Sequence, residues 1–436
     1  MIMSSIVPGD SIAAGLFREF TTWPIFDPHS HINPQAPAAR SLDQILGYHY
    51  YTELAHSAGM PADEVAPHQA ASHQIRAVAR YLSQFDNTVQ HAWLAEIARS
   101  FHGIDRPIDK SSIDILERQC DKSSDPDAWD AEVWRRTNLE AVFLTNEFDD
   151  PLTGWDTSRY IPCLRTDDLV LKLHQAPTLE RLQACTNESI GDEPSLRRAI
   201  GKLFQRFVAN GARACAISLP PDFVPRAAAF KRSASALRRA LRALPLRPEE
   251  HDDVRVCVFW MLAEFCADFK IPFDLMIGPV RNTYTAGVAG GRDLFDRRVS
   301  LRSYADLFNH FAGVKFPVST LSPDAAAELV AFAWIFPNVF PMGHWWYSNI
   351  PAFIEPDLRS RLQAVPKSKL IGYYSDAYKL EFILPKFNMY RRALSEVLAR
   401  MIRDDRWTET QAVETARFLL IDNPKRLFPP APTSAT

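Results

Sequence analysis

Eight short apolar runs recur along the chain, each followed by helical or loop sequence, and this alternation constrains the fold more than any other feature. Strands that alternate with helices favour a parallel sheet, and eight such repeats favour a closed (β/α)8 barrel. An open doubly wound α/β sheet is the alternative topology. The predicted strands are residues 24–27, 141–145, 160–164, 214–218, 271–277, 314–319, 339–343 and 370–374.

The long segment between the first two runs has helical character, for example at 72–84 and 92–101. We predict a TIM-type barrel with a helical insertion after its first strand. In this division, residues 1–30 form an N-terminal arm and the first strand, 31–138 form the insertion, and 139–436 form the remainder of the barrel. A length of 436 residues is within the range of a barrel that carries insertions.

Composition excludes several classes of protein. A hydrophobic content of 47% without any apolar run near ~20 residues argues against a membrane protein. A net charge of -3 gives no general electrostatic reason to bind nucleic acid. The first residues lack the pattern of a secretion signal, and the six cysteines lack CxxC spacing. We therefore expect a cytoplasmic protein with buried free thiols.

The first predicted strand ends in two histidines, His29 and His31. In an extended strand residues i and i+2 project to the same face, so both imidazoles can approach one cation. Neutral imidazole is the commonest protein ligand for zinc and suits other first-row divalent ions. The alternative is a chance pair of histidines at a strand end.

Asp376 follows the last predicted strand. In a closed barrel the first and last strands are neighbours, and the chemistry lies at their carboxyl ends. We therefore expect Asp376 to lie beside His29 and His31. Two imidazoles and a carboxylate form a divalent metal site with open positions for water or substrate. The alternative role for Asp376 is the N-cap of a following helix.

A set of short motifs occurs along the chain in a specific order and spacing. They are residues 26–34 (FDPHSHINP), 47–50 (GYHY), 57–59 (SAG), 281–282 (RN), 343–347 (GHWWY), 375–376 (SD) and 423–428 (NPKRLF). In these motifs the chain resembles the uronate isomerase family of the amidohydrolase superfamily. Members of that family interconvert D-glucuronate and D-fructuronate, or D-galacturonate and D-tagaturonate, on a (β/α)8 barrel.

The resemblance implies a metal-dependent aldose-ketose isomerase that acts on a hexuronate or related sugar acid. It assigns one divalent metal ion to His29, His31 and Asp376, with zinc expected and manganese or nickel as alternatives. It makes Asp376, Tyr50 and His49 the expected catalytic residues, the last two in proton transfer or hydroxyl positioning. The expected partner is a small sugar acid, and assembly into a homo-oligomer is left open.

The resemblance also points to residues that would bind the substrate. Arg165 and Arg281 offer bidentate contacts to a substrate carboxylate, and Asn282 offers a contact to a hydroxyl group. For each arginine the alternative is an exposed salt bridge. Trp345 and Trp346 are expected either to stack on a sugar ring or to cap the core.

The chain also departs from the family pattern. Met276 stands where the family has a further metal-site histidine, and thioether sulfur is a poor ligand for zinc or manganese. Tyr378 replaces an arginine and Ala216 an aspartate. Glu53 and His56 stand where the family has arginines. These differences predict that substrate recognition has been rebuilt.

His344, at the end of the seventh predicted strand, is a candidate additional metal ligand that would compensate for Met276. The alternative is a histidine that packs beside the two tryptophans and hydrogen-bonds the substrate.

Two further functions remain open at this point. One is a mononuclear metal-dependent hydrolase of a lactone or ester, with Asp376 as base. The other is a barrel that binds a sugar acid without catalysis. The pair His29 and His31, together with Asp376, argues against complete loss of catalysis.

Overall fold

A computed structural model describes residues 7–122, 125–227 and 234–430 of the chain. Residues 1–6, at the start of the predicted N-terminal arm, and residues 431–436, at the end of the predicted remainder of the barrel, lie outside the described residues. Among the described residues, no helix is both long and apolar enough to cross a membrane.

Eight parallel segments form a ring, which confirms the predicted (β/α)8 barrel. In chain order they are Ile25–Asp27, Leu139–Phe143, a third strand made of Tyr160–Ile161 and Leu164–Arg165, Cys215–Leu219, Phe273–Ile277, Phe316–Thr320, Val339–Pro341 and an extended segment at 370–376. We call these the first to eighth barrel strands. A short continuation of the second strand, Asn146–Glu147, pairs with Leu164–Arg165.

The eighth strand closes the ring with few hydrogen bonds. Ile371 forms a single parallel bridge to Met342. On the other side, the Asp376 N–H donates to the His29 carbonyl at 3.1 Å, and the His31 N–H donates to the Ala377 carbonyl at 2.8 Å. These contacts bring the carboxyl ends of the first and eighth strands together.

Two strands differ from their predicted form for identifiable reasons. Pro162 interrupts the third strand, because proline has no N–H to donate to a neighbouring strand. In the eighth strand the Gly372 N–H donates to the Leu419 carbonyl at 2.9 Å, so it does not extend a sheet ladder. By contrast, the fifth strand is buried at every residue, as expected for a parallel sheet covered on both faces.

Helices surround the ring and form one continuous hydrophobic core with it. In the described part of the chain the α-helices are Ser11–Thr22, Asp43–Leu46, His49–Ser57, Ala71–Ala79, Val89–His102, Lys110–Cys120, Pro126–Thr137, Asp167–Leu171, Ala176–Thr186, Glu193–Ala209, Ala234–Ala240, Pro248–Phe269, Ala305–His310, Ala326–Ile335, Pro351–Ala364, Ile383–Asp404, Glu409–Arg417 and Asn423–Leu427. Pro279–Val280 and Leu294–Phe295 form a small antiparallel hairpin after the fifth barrel strand.

The described elements between residues 31 and 138 are all helical. One of them, His49–Ser57, begins directly after Tyr48 and places the segment 48–50 beside the end of the eighth barrel strand. The division of the chain into three parts stays a prediction.

Candidate active site

His29, His31 and Asp376 meet at the mouth of the barrel. Their candidate ligand atoms all lie within 4.8 Å of one another. The Asp376 Oδ1 atom is 3.7 Å from His29 Nε2 and 3.3 Å from His31 Nε2. The structure therefore brings together the three residues that the sequence indicated.

The chemistry of these donors fits a divalent metal ion. The Nε2 atom of His29 is buried and has no hydrogen-bond partner among the described residues. A buried polar atom without a partner is costly, and metal coordination would satisfy it. Two imidazoles and one carboxylate suit zinc and related first-row ions, and three protein ligands leave positions free for a substrate.

Two further residues orient the imidazoles. Asp274, on the fifth barrel strand, places Oδ2 3.6 Å from His29 Nδ1. Thr145, after the second strand, places Oγ1 2.6 Å from His31 Nδ1. In each ring the Nδ1 contact leaves Nε2 facing Asp376. Partners of this kind fix the orientation of metal-binding histidines, and an acidic partner also raises ligand basicity.

Burial and neighbouring charges set the ionisation of these groups. Burial by itself raises the pKa of Asp376, but the hydrogen bond with His31 and the charges of His31 and Lys386 outweigh it and hold the pKa below its ordinary value. Burial lowers the pKa of His31. The carboxylate and a neutral His31 imidazole are therefore the forms present near neutral pH, and both are competent metal ligands.

Lys386 lies behind Asp376 and is completely buried. Its Nζ donates to the Ser375 carbonyl at 2.8 Å and to the Tyr48 hydroxyl at 3.0 Å. The Tyr48 hydroxyl in turn donates to the Asp376 carbonyl at 3.0 Å. Burial lowers the pKa of Lys386 to about 8. This chain of contacts holds Asp376 in a left-handed backbone conformation, with φ 52°.

Tyr50 and His49 also lie close to Asp376. The Tyr50 hydroxyl donates to Asp376 Oδ2 at 3.3 Å. His49 lines the same cavity as the metal donors. Burial lowers the pKa of His49 to about 4, so its imidazole is neutral at pH 7. A neutral imidazole beside the metal donors can accept a proton.

The two predicted substrate arginines both line this cavity, and each already has carboxylate partners. Arg165 is 3.2 Å from Glu147 and 3.3 Å from Asp167. Arg281 is 2.6 Å from Asp293, and half of its side chain remains exposed. Because Arg281 keeps this exposed surface, it is the arginine better placed to bind another carboxylate.

The other predicted contacts have different outcomes. Trp345 and Trp346 both line the cavity and are largely buried. Asn282 does not line it, and the Asn282 N–H donates instead to Asp293 Oδ1 at 2.8 Å. That hydrogen bond orients the carboxylate that holds Arg281.

The structure corrects the expectation that His344 is a fourth metal ligand. The His344 Nε2 atom lies 2.6 Å from Asp357 Oδ2, and Arg361 binds the same carboxylate at 2.8 Å. His344 lines a separate cavity, while its neighbours Trp345 and Trp346 line the active-site cavity. The helix Pro351–Ala364 supplies the carboxylate that draws His344 away from the other donors.

Three positions that depart from the family pattern also line the cavity, namely Ala216, Met276 and Tyr378. The Tyr378 ring stacks on the His31 ring, with centroids 4.8 Å apart. Tyr378 therefore covers one face of the His31 ring where the resemblance led us to look for an arginine.

The sequence did not identify Asp274, Thr145 or Lys386 as residues of the site. A signal was present for Asp274, since it is a charged residue within an otherwise apolar predicted strand. Lys386 is similar, because it lies within an apolar stretch of the helix Ile383–Asp404.

A comparison with protein families decides the family. The model of the glucuronate isomerase family matches residues 4–428 of this chain. The chain belongs to the glucuronate isomerase family. The predicted family and the predicted isomerase are confirmed, and the hydrolytic and non-catalytic alternatives are not favoured.

Individual relatives agree with the family assignment over nearly the whole chain. The uronate isomerase of Thermotoga neapolitana is 22% identical, with 95% of this chain and 97% of the relative covered. The crystal structure of uronate isomerase from Thermotoga maritima matches with a TM-score of 0.89 and 19% identity, covering 98% of this chain and all of the other. Glucuronate isomerase from Caulobacter crescentus matches with a TM-score of 0.88, 19% identity and coverage of 98% and 96%. The family and the donor set of His29, His31 and Asp376 support a divalent metal ion as the cofactor.

Proposed function

We propose that the chain uses His29, His31 and Asp376 to hold one zinc ion and interconverts the aldose and ketose forms of a hexuronate. The observation that carries this proposal is the single cavity that contains the three donors, a neutral His49 and two arginines. Manganese and nickel suit the same donors and are the alternatives to zinc.

The reaction moves two protons and leaves the composition of the sugar unchanged. A proton passes from C2 to C1, and a hydroxyl proton passes from O2 to O1. When bound, a divalent ion supplies positive charge that polarises the sugar oxygens. Every other requirement falls to side chains of the protein.

We assign the transfer of the proton from C2 to C1 to His49, because its imidazole is neutral and lines the cavity. We assign the transfer of the hydroxyl proton from O2 to O1 to the ionised carboxylate of Asp376. Tyr50 positions that carboxylate through its hydrogen bond. Arg281 is assigned the substrate carboxylate, with Arg165 as the second cation on the cavity wall. A buried carboxylate needs such partners, because an unpaired one costs several kcal/mol.

A cytoplasmic location belongs to the same proposal. Cys120, Cys163, Cys185, Cys215 and Cys266 are all thiols without disulfide bonds. Such thiols are typical of proteins in a reducing compartment.

The test combines metal analysis with NMR of D-glucuronate and D-galacturonate in deuterated water. We expect about one divalent ion per chain, formation of the ketose, and exchange with solvent at the carbon that receives the proton. His29→Ala should lose both metal and turnover. His68→Ala, which changes an exposed histidine, should lose neither.

Two results would contradict the proposal. One is full activity of a metal-free His29→Ala protein. The other is a product heavier than the substrate by one water molecule, which would indicate hydrolysis.

A further inference from the structure

The active-site cavity continues into a groove on the mouth of the barrel. A neighbouring cavity of about 550 Å³ shares Asp167, Ser218 and Arg281 with the active-site cavity, which measures about 200 Å³. A third cavity, of about 620 Å³, shares Pro220, Asp222 and Arg255 with the second. The loops after the third, fourth and fifth barrel strands therefore border one continuous groove that begins at the active site.

The position of the groove is that of a substrate-binding region. In barrels of this type, ligands bind at the carboxyl ends of the strands, where these loops lie. The first cavity is smaller than the ~300–1,000 Å³ of typical ligand pockets, so it suits a single sugar unit. The neighbouring groove provides space for a larger ligand.

The walls of the groove suit hydroxyl groups. Its second cavity is lined by three arginines and three aspartates: Arg255, Arg281, Arg298, Asp167, Asp222 and Asp296. These charges balance, and they place hydrogen-bond donors beside acceptors. A sugar hydroxyl both donates and accepts, so it can bind between them.

The groove also offers apolar surface. Pro220, Pro221 and Pro279 line it and provide faces on which the C–H groups of a sugar ring can pack. This combination of a few polar groups and apolar faces is typical of binding sites for small polar ligands.

We propose that the natural substrate is a hexuronate that carries a second, glycosidically linked sugar unit, and that the groove binds this unit. The inference rests on the proposed isomerase function. C1 and C2 must lie beside His29, His31 and Asp376, and the groove joins the cavity at Asp167, Ser218 and Arg281. The second unit must therefore be linked through a hydroxyl group away from C1 and C2, such as that on C4. The reaction is unchanged, and the glycosidic bond stays intact.

The test compares the metal-loaded enzyme on D-galacturonate and on 1,4-linked digalacturonate, whose reducing end has free C1 and C2. We expect kcat/KM to be higher for the disaccharide by about ten-fold or more. Asp222→Trp fills the groove at an exposed residue that does not line the active-site cavity. It should lower kcat/KM for the disaccharide by about ten-fold or more and leave the monosaccharide value within about two-fold.

Two control variants accompany this comparison. Asp222→Asn keeps the size of the side chain and should have a smaller effect on the disaccharide than Asp222→Trp. Asp324→Trp places the same bulky ring at an exposed residue outside the groove and should affect neither substrate.

The outcomes separate this inference from the proposed function. Turnover of the monosaccharide without turnover of the disaccharide overturns the groove proposal and leaves the isomerase intact. An equal effect of Asp222→Trp on both substrates also overturns it. If the metal-loaded enzyme converts none of D-glucuronate, D-galacturonate and the disaccharide, the proposed function itself is overturned.

Discussion

At the scale of single residues, the orientation of His29 depends on a carboxylate from a different strand. Asp274 faces the Nδ1 side of the ring, and the Nε2 side is left toward Asp376. Burial opposes a charged imidazole, but the hydrogen bond to Asp274 and its negative charge together raise the pKa of His29. The same charge makes the ring a stronger electron donor to a metal ion.

We expect Asp274→Asn to weaken metal binding by about 10–100-fold, because it keeps the shape of the side chain but removes its charge. The measurement is a competition titration against a chelating dye. Asp324→Asn, at an exposed position, is the matched control. Unchanged metal affinity in Asp274→Asn would show that Asp274 has no role in tuning the site.

Substitution of Arg281 tests how the substrate carboxylate is bound. Lysine at this position keeps the positive charge but loses the planar pair of donors that matches a carboxylate. We expect Arg281→Lys to lower kcat/KM for a hexuronate by about ten-fold to a thousand-fold without changing metal content. Steady-state kinetics and metal analysis of the same preparation make the measurement.

The control for Arg281 is Arg298→Lys, because Arg298 is largely exposed and does not line the active-site cavity. It should leave turnover of a monosaccharide unchanged. If Arg281→Ala retains near-normal turnover, the carboxylate is bound elsewhere.

At the scale of structural elements, the seventh and eighth barrel strands pack closely where Gly343 lies against the ring of Tyr374. Its backbone adopts φ 43°, which disfavours residues with a side chain. A Cβ atom here would collide with the buried ring of Tyr374. The same turn leads into His344, Trp345 and Trp346, which face different cavities.

Gly343→Ala should therefore destabilise the protein by roughly 2–5 kcal/mol, from overpacking and an unfavourable backbone conformation together. The free energy of unfolding is measured by urea denaturation. Gly313→Ala is the matched control, because an added Cβ meets no atom within 4 Å there. Equal stability of the two variants would disprove the close packing at Gly343.

At the scale of the whole molecule, Glu381 joins the barrel to the segment between residues 31 and 138. Its carboxylate accepts the Ala39 N–H at 2.9 Å and the Trp129 Nε1–H at 3.0 Å. The side chain is buried, and burial raises its pKa from 4.5 to about 7 despite these hydrogen bonds. The contact between the two parts of the chain is therefore sensitive to pH.

The direction of this effect follows from linkage. Below pH 4.5 the carboxyl group is protonated in both the folded and the unfolded chain, so it causes no penalty. As the pH rises toward about 7, only the unfolded chain ionises readily, and the folded state loses stability. Above that range the penalty stays constant, on the order of 3 kcal/mol.

We predict that wild type becomes less stable relative to Glu381→Gln as the pH rises from 4.5 to about 7. Urea denaturation of both proteins across this range measures the difference, and other titrating groups cancel because both proteins contain them. A stability difference that does not change with pH would contradict a raised pKa at Glu381.

Much of the fold could be predicted from the sequence, because apolar runs and their spacing are local properties. The alternation of strands and helices predicted the barrel, and the i, i+2 spacing of His29 and His31 predicted a shared face. Ring closure then placed Asp376 beside them, since the first and last strands of a barrel are neighbours. These inferences need only backbone periodicity and topology.

The remaining features were decided by the tertiary structure. Strand periodicity does not determine where a side chain points once the backbone leaves the strand, and Asp376 and Trp346 both have positive φ values. His344 turned toward Asp357 on a neighbouring helix, a contact that the order of residues along the chain does not reveal. Asp274 and Lys386 reached the site from other elements. The sequence by itself determined the barrel and its three candidate metal donors, whereas the side chains that orient those candidates depended on packing between segments distant along the chain.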